Sequence, residues 1–279
     1  MYGIVRSIKL FSKALSLSLH RLYVDDYSYQ ASALSFITLL ALVPILAAGI
    51  YVLSFFSAFS DFIIYFENYI YMNFLPDVAF AVKDYLHQFA FQARHLPIWS
   101  IIFSFVSGMF LLSTMETAFN SVYKVTGDSR TLFWKVVSWI MVSLIILTVG
   151  LLSFISNIIF TIYFLNKFHI FSIQVLNFVI NTVLIGTLYV YIPNHVIKWR
   201  DGLLGGCVSA FLFEIGRNSF GLYILHLAYY TNIYGTLALI PIFLLWVYIS
   251  WLIILFGAIL IAEKNKLLSS SEYMKRVYK

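Results

Sequence analysis

The chain has 279 residues, of which 62% are hydrophobic and 11% charged, with a mean hydropathy of +0.90. A soluble domain carries about 45–50% apolar and about 25% charged residues, and no water-soluble fold of this size can bury the excess. The surplus must face lipid, which excludes a soluble enzyme, a nucleic-acid-binding domain and a disordered tail, and turns the net charge of +6 into the cation excess of cytoplasmic loops.

Residues 1–24 predict an amphipathic helix. Ile4, Ile8, Phe11, Leu15, Leu19 and Leu22 recur at spacings of three and four, with Arg6, Lys9, Lys13 and His20 on the opposite side. This is the pattern of a helix lying in the cytoplasmic membrane surface, apolar face down, its cations near anionic head groups. It reads as such a helix rather than as a secretory signal peptide, because its apolar residues are periodic; a mitochondrial-type presequence shares the pattern.

Residues 25–263 read as a membrane domain. A bilayer core of about 30 Å takes roughly 20 helical residues. Six segments meet that length: Ala33–Phe56, Ile98–Val122, Phe133–Phe164, Ile170–Ile192, Gly202–Leu225 and Thr236–Ala262. The fold class expected is therefore all-α, a six-span helix bundle with added interfacial helices. Asp25–Asp26–Tyr27–Ser28 marks the start of the first span, with Asp26 or Ser28 as the cap. Pro44 lies inside that span and should kink it.

The long connection 57–97 is rich in Phe and Tyr and carries Asp61, Glu67, Asp77 and Asp84 against Lys83 and Arg94. Val82, Leu86, Phe89 and Ala93 repeat at helical spacing. One or two amphipathic helices on the outer face, broken near Pro76, are expected there. The third span is longer than a bilayer needs, which tilt or projection would absorb.

Cations set the orientation. Arg6, Lys9, Lys13 and Arg21, then Lys124, Arg130 and Lys135, then Lys198 and Arg200, then the basic tail 264–279 all fall on one side; Lys83, Arg94 and Lys167 fall on the other. Both termini should be cytoplasmic, in the inner (plasma) membrane.

Ionisable groups inside a membrane are candidate sites. Glu214 lies mid-span, and Arg217 is three residues on along the same face, so the two can pair. Asn181 and Ser250 lie at similar depth and would complete a polar midplane cluster if they faced Glu214. A self-neutralised packing pair and a substrate or proton site are both open. Glu116 and Asn120 read as an interfacial helix end. Gly205, Gly206 and Ala210 give the fifth span a small-residue stripe for close packing, and Cys207, the single cysteine, reads as a small packing residue. The sequence contains no Walker-type phosphate loop and no H-E-x-x-H, and its six histidines are scattered. Neither a cofactor nor a metal is expected.

Several segments together resemble the YihY/BrkB membrane protein family, which has also been labelled ribonuclease BN and includes virulence factors. The amino-terminal likeness runs from Gln30 through Ala31, Ala33, Leu34 and Phe36 to Pro44. Further on come Ala118–Tyr123 with Asn120, then Tyr191–Ile192–Pro193 and Arg200, then Tyr234–Gly235, then Trp246 within Leu245–Trp251, and Gly257–Ala258. The resemblance covers about Asp25 to Glu263. It implies an inner-membrane protein of about six spans, linked in some members to envelope integrity or serum resistance, with a suggestion of transport or lipid export. The ribonuclease label is not carried over: RNA hydrolysis needs a water-exposed metal or acid–base site, and the cytoplasmic loops here are short and poor in carboxylates.

Two functional readings follow: a transport-like or lipid-handling membrane protein, and a non-transporting envelope scaffold. An enzyme is the third and least supported. Membrane lipids are the expected partners, a homo-oligomer is compatible with the chain, and no nucleic acid is expected.

Overall fold

The computed structural model of the chain describes residues 2–53, 98–125, 167–226 and 239–277, with scattered positions between 133 and 148. Among the described residues every element is a helix: α1 (Tyr2–Val24), α2 (Tyr27–Leu53), α3 (Ile98–Val122), α4 (Lys167–Tyr191), α5 (Trp199–His226) and α6 (Leu239–Val277). Two described stretches are long and apolar enough to cross a bilayer, Ile102–Val122 in α3 and Ile240–Ser269 in α6; Val175–Tyr191 in α4 is apolar but shorter. The connection 57–97, most of the third predicted span and Tyr234–Gly235 lie outside the described residues.

By its internal contacts the chain divides into two units, Met1–Phe36 with Leu112–Lys279, and Ile37–Leu111. In the smaller unit Pro44 sits inside α2, and the Ser104 hydroxyl of α3 donates to the Pro44 carbonyl at 2.6 Å. A neighbouring hydroxyl thus serves a backbone carbonyl beside the proline.

In the larger unit α6 is central and packs on both α1 and α5. From Leu255 to Ile261 it is buried on every side, so its apolar residues need no periodicity there. It also runs on as one helix to Val277, past the predicted end of the sixth span at Ala262 and through most of the basic tail. Among the described residues α4 and α5 pack most extensively. A Cβ on Gly206 would fall 2.8 Å from the Gly186 amide nitrogen and 3.0 Å from its Cα, so the two backbones touch and only glycine fits.

The first helix differs from the prediction in what it faces. Ala14 and Ser18 are fully buried, while Leu19 is 57% exposed. The docking line is therefore Ala14–Ser18–Arg21, small residues followed by a cation, set beside the Leu-rich stripe. Small side chains let α1 approach α6 closely, and the Ser18 hydroxyl is returned to the Ala14 carbonyl at 2.7 Å. Only Asp25 and Asp26 separate α1 from α2. Asp26 is left-handed (φ 57°), a conformation Asp tolerates, and its carbonyl accepts the amides of Tyr29 and Gln30. It thus serves the helix start through its backbone.

Candidate functional site

Arg21 gathers four elements. Its Nε donates to Asp25 Oδ2 at 2.8 Å, its Nη1 to Glu263 Oε1 of α6 at 3.1 Å, and its Nη2 to the Val122 carbonyl of α3 at 2.8 Å and to Tyr27 Oη of α2 at 3.2 Å. The side chains of Arg21 and Glu263 are 12% and 9% exposed. Burial disfavours the guanidinium charge, but the Asp25 bond and the attraction of Tyr27, Glu263 and Asp25 outweigh it and raise the pKa. Tyr27 in turn donates to the Ser121 carbonyl at 3.2 Å, and its phenol is raised, chiefly by burial. Arginine suits this place because its planar fork serves several acceptors with one charge.

The other side of α3 carries a second network. Glu116 and Asn120 are four residues apart and share a face. Glu116 accepts the Trp139 indole N–H and the Asn194 side-chain amide, each at 2.9 Å, and Asn120 Oδ1 accepts the Asn194 backbone N–H at 2.7 Å. Glu116 is only 6% exposed, so this is a buried polar centre at the α4–α5 turn. Next to it His195 stacks on Tyr123 at 5.5 Å. Burial pushes the Tyr123 phenol up, reinforced by Tyr189 and Asp201. Tyr123 Oη and Asn194 Oδ1 are buried and have no hydrogen-bond partner among the described residues.

A third set joins α4, α5 and α6. Tyr189 Oη lies 2.7 Å from Ser209 Oγ and donates to the Ile254 carbonyl at 2.7 Å. The hydroxyls reach α6 because residue 257 is glycine: a Cβ there would overlap Ser209 Oγ and Tyr189 Oη. Nearby Lys264 and Asp201 pair at 2.6 Å.

The sequence-predicted site residues fare unequally. Glu214 and Arg217 do pair, but at 38% and 57% side-chain exposure, facing outward from α5. Ser250 donates to the Trp246 carbonyl of its own helix, and Asn181 is exposed. Among the described residues no hydrogen bond joins Asn181 or Ser250 to Glu214. Of the family-motif residues, Ala31, Leu34 and Pro193 are buried, Trp246 packs on Phe213 and Phe220, and Ala33, Phe36 and Arg200 are exposed. Arg21, Asn194 and Glu263 escaped sequence reasoning. Their partners lie 242 and 78 residues away in the chain, and the sequence signals neither pairing.

Between α1 and the α4–α5–α6 bundle lies an open groove of about 670 Å³. Leu15, Leu19 and Leu22 form one wall, with Phe178, Phe211 and Phe256 opposite; every lining side chain is apolar. Cys207 lines it too and is exposed. The thiol is thus a surface of the groove and not a packing residue, because one helical step turns it away from the Gly206 contact with α4.

The chain matches the family model described as Virulence factor BrkB over residues 18–275. A "UPF0761 membrane protein" of Legionella pneumophila is 34% identical over 237 residues, 84% of this chain and 57% of the relative. One from Pseudomonas paraeruginosa is 33% identical over 262 residues, covering 92% and 63%. One from Ralstonia nicotianae is 32% identical over 252 residues, covering 88% and 57%. The chain therefore spans about three fifths of the length of these relatives. No solved structure matches it. With an apolar helical chain and a match over most of its length to relatives named as membrane proteins, the chain belongs to the virulence factor BrkB family of membrane proteins.

Proposed function

We propose that this is a multi-pass inner-membrane protein that handles lipid in the cell envelope, crossing the bilayer six times with both termini in the cytoplasm. The apolar groove carries the reading. It lies on a chain whose solvent is mostly hydrocarbon, and a cleft with only apolar walls offers hydrogen bonds to no solute. What it can hold is an alkyl chain. The polar belt around Arg21 and Glu116 then serves as the frame that keeps α1 beside the bundle. Catalysis is not part of this reading: Asp25, Glu116, Asp201 and Glu263 are each spent on ion pairs or hydrogen bonds. Glu214 and Arg217 are read as a self-neutralised pair.

The test is purified protein in liposomes that carry a fluorophore-tagged phospholipid, with a membrane-impermeant quencher outside. Lipid handling predicts that quenching goes beyond the outer leaflet. Quenching equal to that of protein-free liposomes, with no export of lipid to an acceptor, removes the reading. The envelope-scaffold reading has one specific support, the internal satisfaction of the charged belt, and would then be preferred.

A further inference from the structure

We propose that the α4–α5 turn and the end of α3 form a docking surface for the anionic phospholipids of the inner leaflet. The inference goes beyond the lipid-handling reading and takes from it only the cytoplasmic side of this turn. Residues 192–198 join α4 to α5. Val196 within them is 94% exposed, the most open of the large apolar residues described. Trp199 and Tyr191 flank the turn, are both exposed and meet edge to face at 5.8 Å. Lys198 and Arg200, on either side of Trp199, are exposed too. A lone apolar residue at a surface needs no explanation; a valine, two aromatic rings and two cations within residues 191–200 make one surface that does.

The turn is tied to α3. Asn194 gives its backbone N–H to Asn120 and its side-chain amide to Glu116, and His195 stacks on Tyr123. Lys124 follows Tyr123 in the chain and is exposed, so the stack brings a third cation near the turn. Asp201 is the sole carboxylate from Tyr191 to Phe213, and it is already paired with Lys264 at 2.6 Å. Among the described residues no ion pair takes up Lys124, Lys198 or Arg200. Cations alone would suit any polyanion. Two things select a lipid surface. The apolar stretch Val175–Tyr191 of α4 ends where the turn begins, which sets the turn at the edge of the hydrocarbon. Trp and Tyr rings favour that boundary, where cations meet lipid phosphates and an apolar side chain reaches past them towards the acyl region.

The experiment uses the full chain reconstituted into phosphatidylcholine vesicles that contain either brominated phosphatidylglycerol or brominated phosphatidylcholine. Quenching of Trp199, isolated by subtracting the signal of Trp199→Phe, reports which lipid sits against the turn. It should be stronger with brominated phosphatidylglycerol, and the excess should shrink at high salt. Lys198→Gln and Arg200→Gln should each lower the preference by about fivefold, the gain of one cation near an anionic leaflet. Both positions are exposed, so the fold should survive, and a melting temperature equal to the parent's checks this. Val196→Cys in a Cys207→Ser background gives an independent reading. A nitrobenzoxadiazole probe on that thiol should be shielded from aqueous iodide in vesicles containing phosphatidylglycerol.

Equal quenching by the two brominated lipids overturns the proposal, as does a preference that Lys198→Gln and Arg200→Gln leave unchanged. A probe at position 196 that stays open to iodide in every vesicle overturns it as well, and hands the surface to a soluble polyanion. Sidedness is read separately, by treating spheroplasts that carry the Val196→Cys variant with a membrane-impermeant maleimide. Labelling from outside sinks the cytoplasmic placement of the turn, and the inner leaflet with it. A thiol protected from outside, combined with no head-group preference, sinks the docking surface alone and leaves the topology standing.

Discussion

Replacing Arg21 by alanine should lower the melting temperature of the purified protein by roughly 6–12 °C, at about 2–4 °C per kcal/mol for a chain of 150–250 residues. The magnitude follows from what the side chain leaves behind. Its arm to Asp25 is the weak one, because Asp25 is 37% exposed and an exposed pair contributes about 0–1 kcal/mol. Its arms to Glu263 and to the Val122 carbonyl are the strong ones. Glu263 is 9% exposed and would lose its cation at 3.1 Å, and the carbonyl would lose a donor at 2.8 Å. Removing one partner of a buried pair costs about 3–5 kcal/mol; with Arg21 itself 12% exposed, water relieves part of this and about 3 kcal/mol is left. Arg21→Lys keeps the charge but reaches fewer acceptors, and should lose about half as much. Tryptophan fluorescence on heating in detergent reads both variants. A double-mutant cycle with Glu263→Gln isolates the pair and should return a coupling of about 1–2 kcal/mol. A melting temperature for Arg21→Ala within about 2 °C of the parent, or a coupling near zero, would show that the guanidinium does not hold α1 to α6.

The same scans test four further residues. Gly257→Ala should destabilise by about 1–3 kcal/mol, because the added Cβ meets Ser209 Oγ and Tyr189 Oη. Gly108→Ala, whose nearest neighbour is Ile45 Cδ1 at 3.8 Å, should be neutral or gain about 0.5–1 kcal/mol. Glu116→Ala should cost about 3 kcal/mol by stranding the Trp139 and Asn194 donors, and Glu116→Gln less. Stability should fall at alkaline pH. Burial raises the Tyr27 and Tyr123 phenols above the ordinary 10.0, so folding favours their neutral forms. That contribution is complete below pH 10 and is lost as the pH climbs through the raised values. Tyr123→Phe should flatten the loss and, by deleting a buried hydroxyl that has no partner among the described residues, leave stability at pH 7 unchanged or about 1 kcal/mol higher. Finally, Glu214→Gln should insert and behave as the parent in an envelope-stress assay if the pair with Arg217 is self-neutralised. A clear defect there would return the pair to the functional site.

Much of this protein is legible in one dimension. Sixty-two per cent apolar residues leave hydrocarbon as the solvent, and in hydrocarbon a chain must satisfy its backbone within each segment. Helices of the right number of residues follow, and α3 runs from Ile98 to Val122 as the hydropathy predicts. The amphipathic stripe of α1 is equally visible, because a period of 3.6 is a property of neighbours in sequence. So is the Glu214–Arg217 contact, which spans one helical turn. The family likeness is also a matter of order and spacing along the chain.

What a stripe faces is not written in its period. Tertiary packing decided that α1 docks through Ala14, Ser18 and Arg21 and turns Leu15, Leu19 and Leu22 to a groove, since docking depends on how closely two backbones can approach. It decided that Arg21 meets Glu263 across 242 residues, that Glu116 is a buried centre, and that Cys207 is open while Gly206 beside it is closed. Among the described residues no hydrogen bond joins Asn181 or Ser250 to Glu214, because the facing of each helix is set by its neighbours and not by position along the chain. Local patterns fix secondary structure through short-range sterics and solvent. Partnerships between distant side chains appear only once the helices have chosen their contacts.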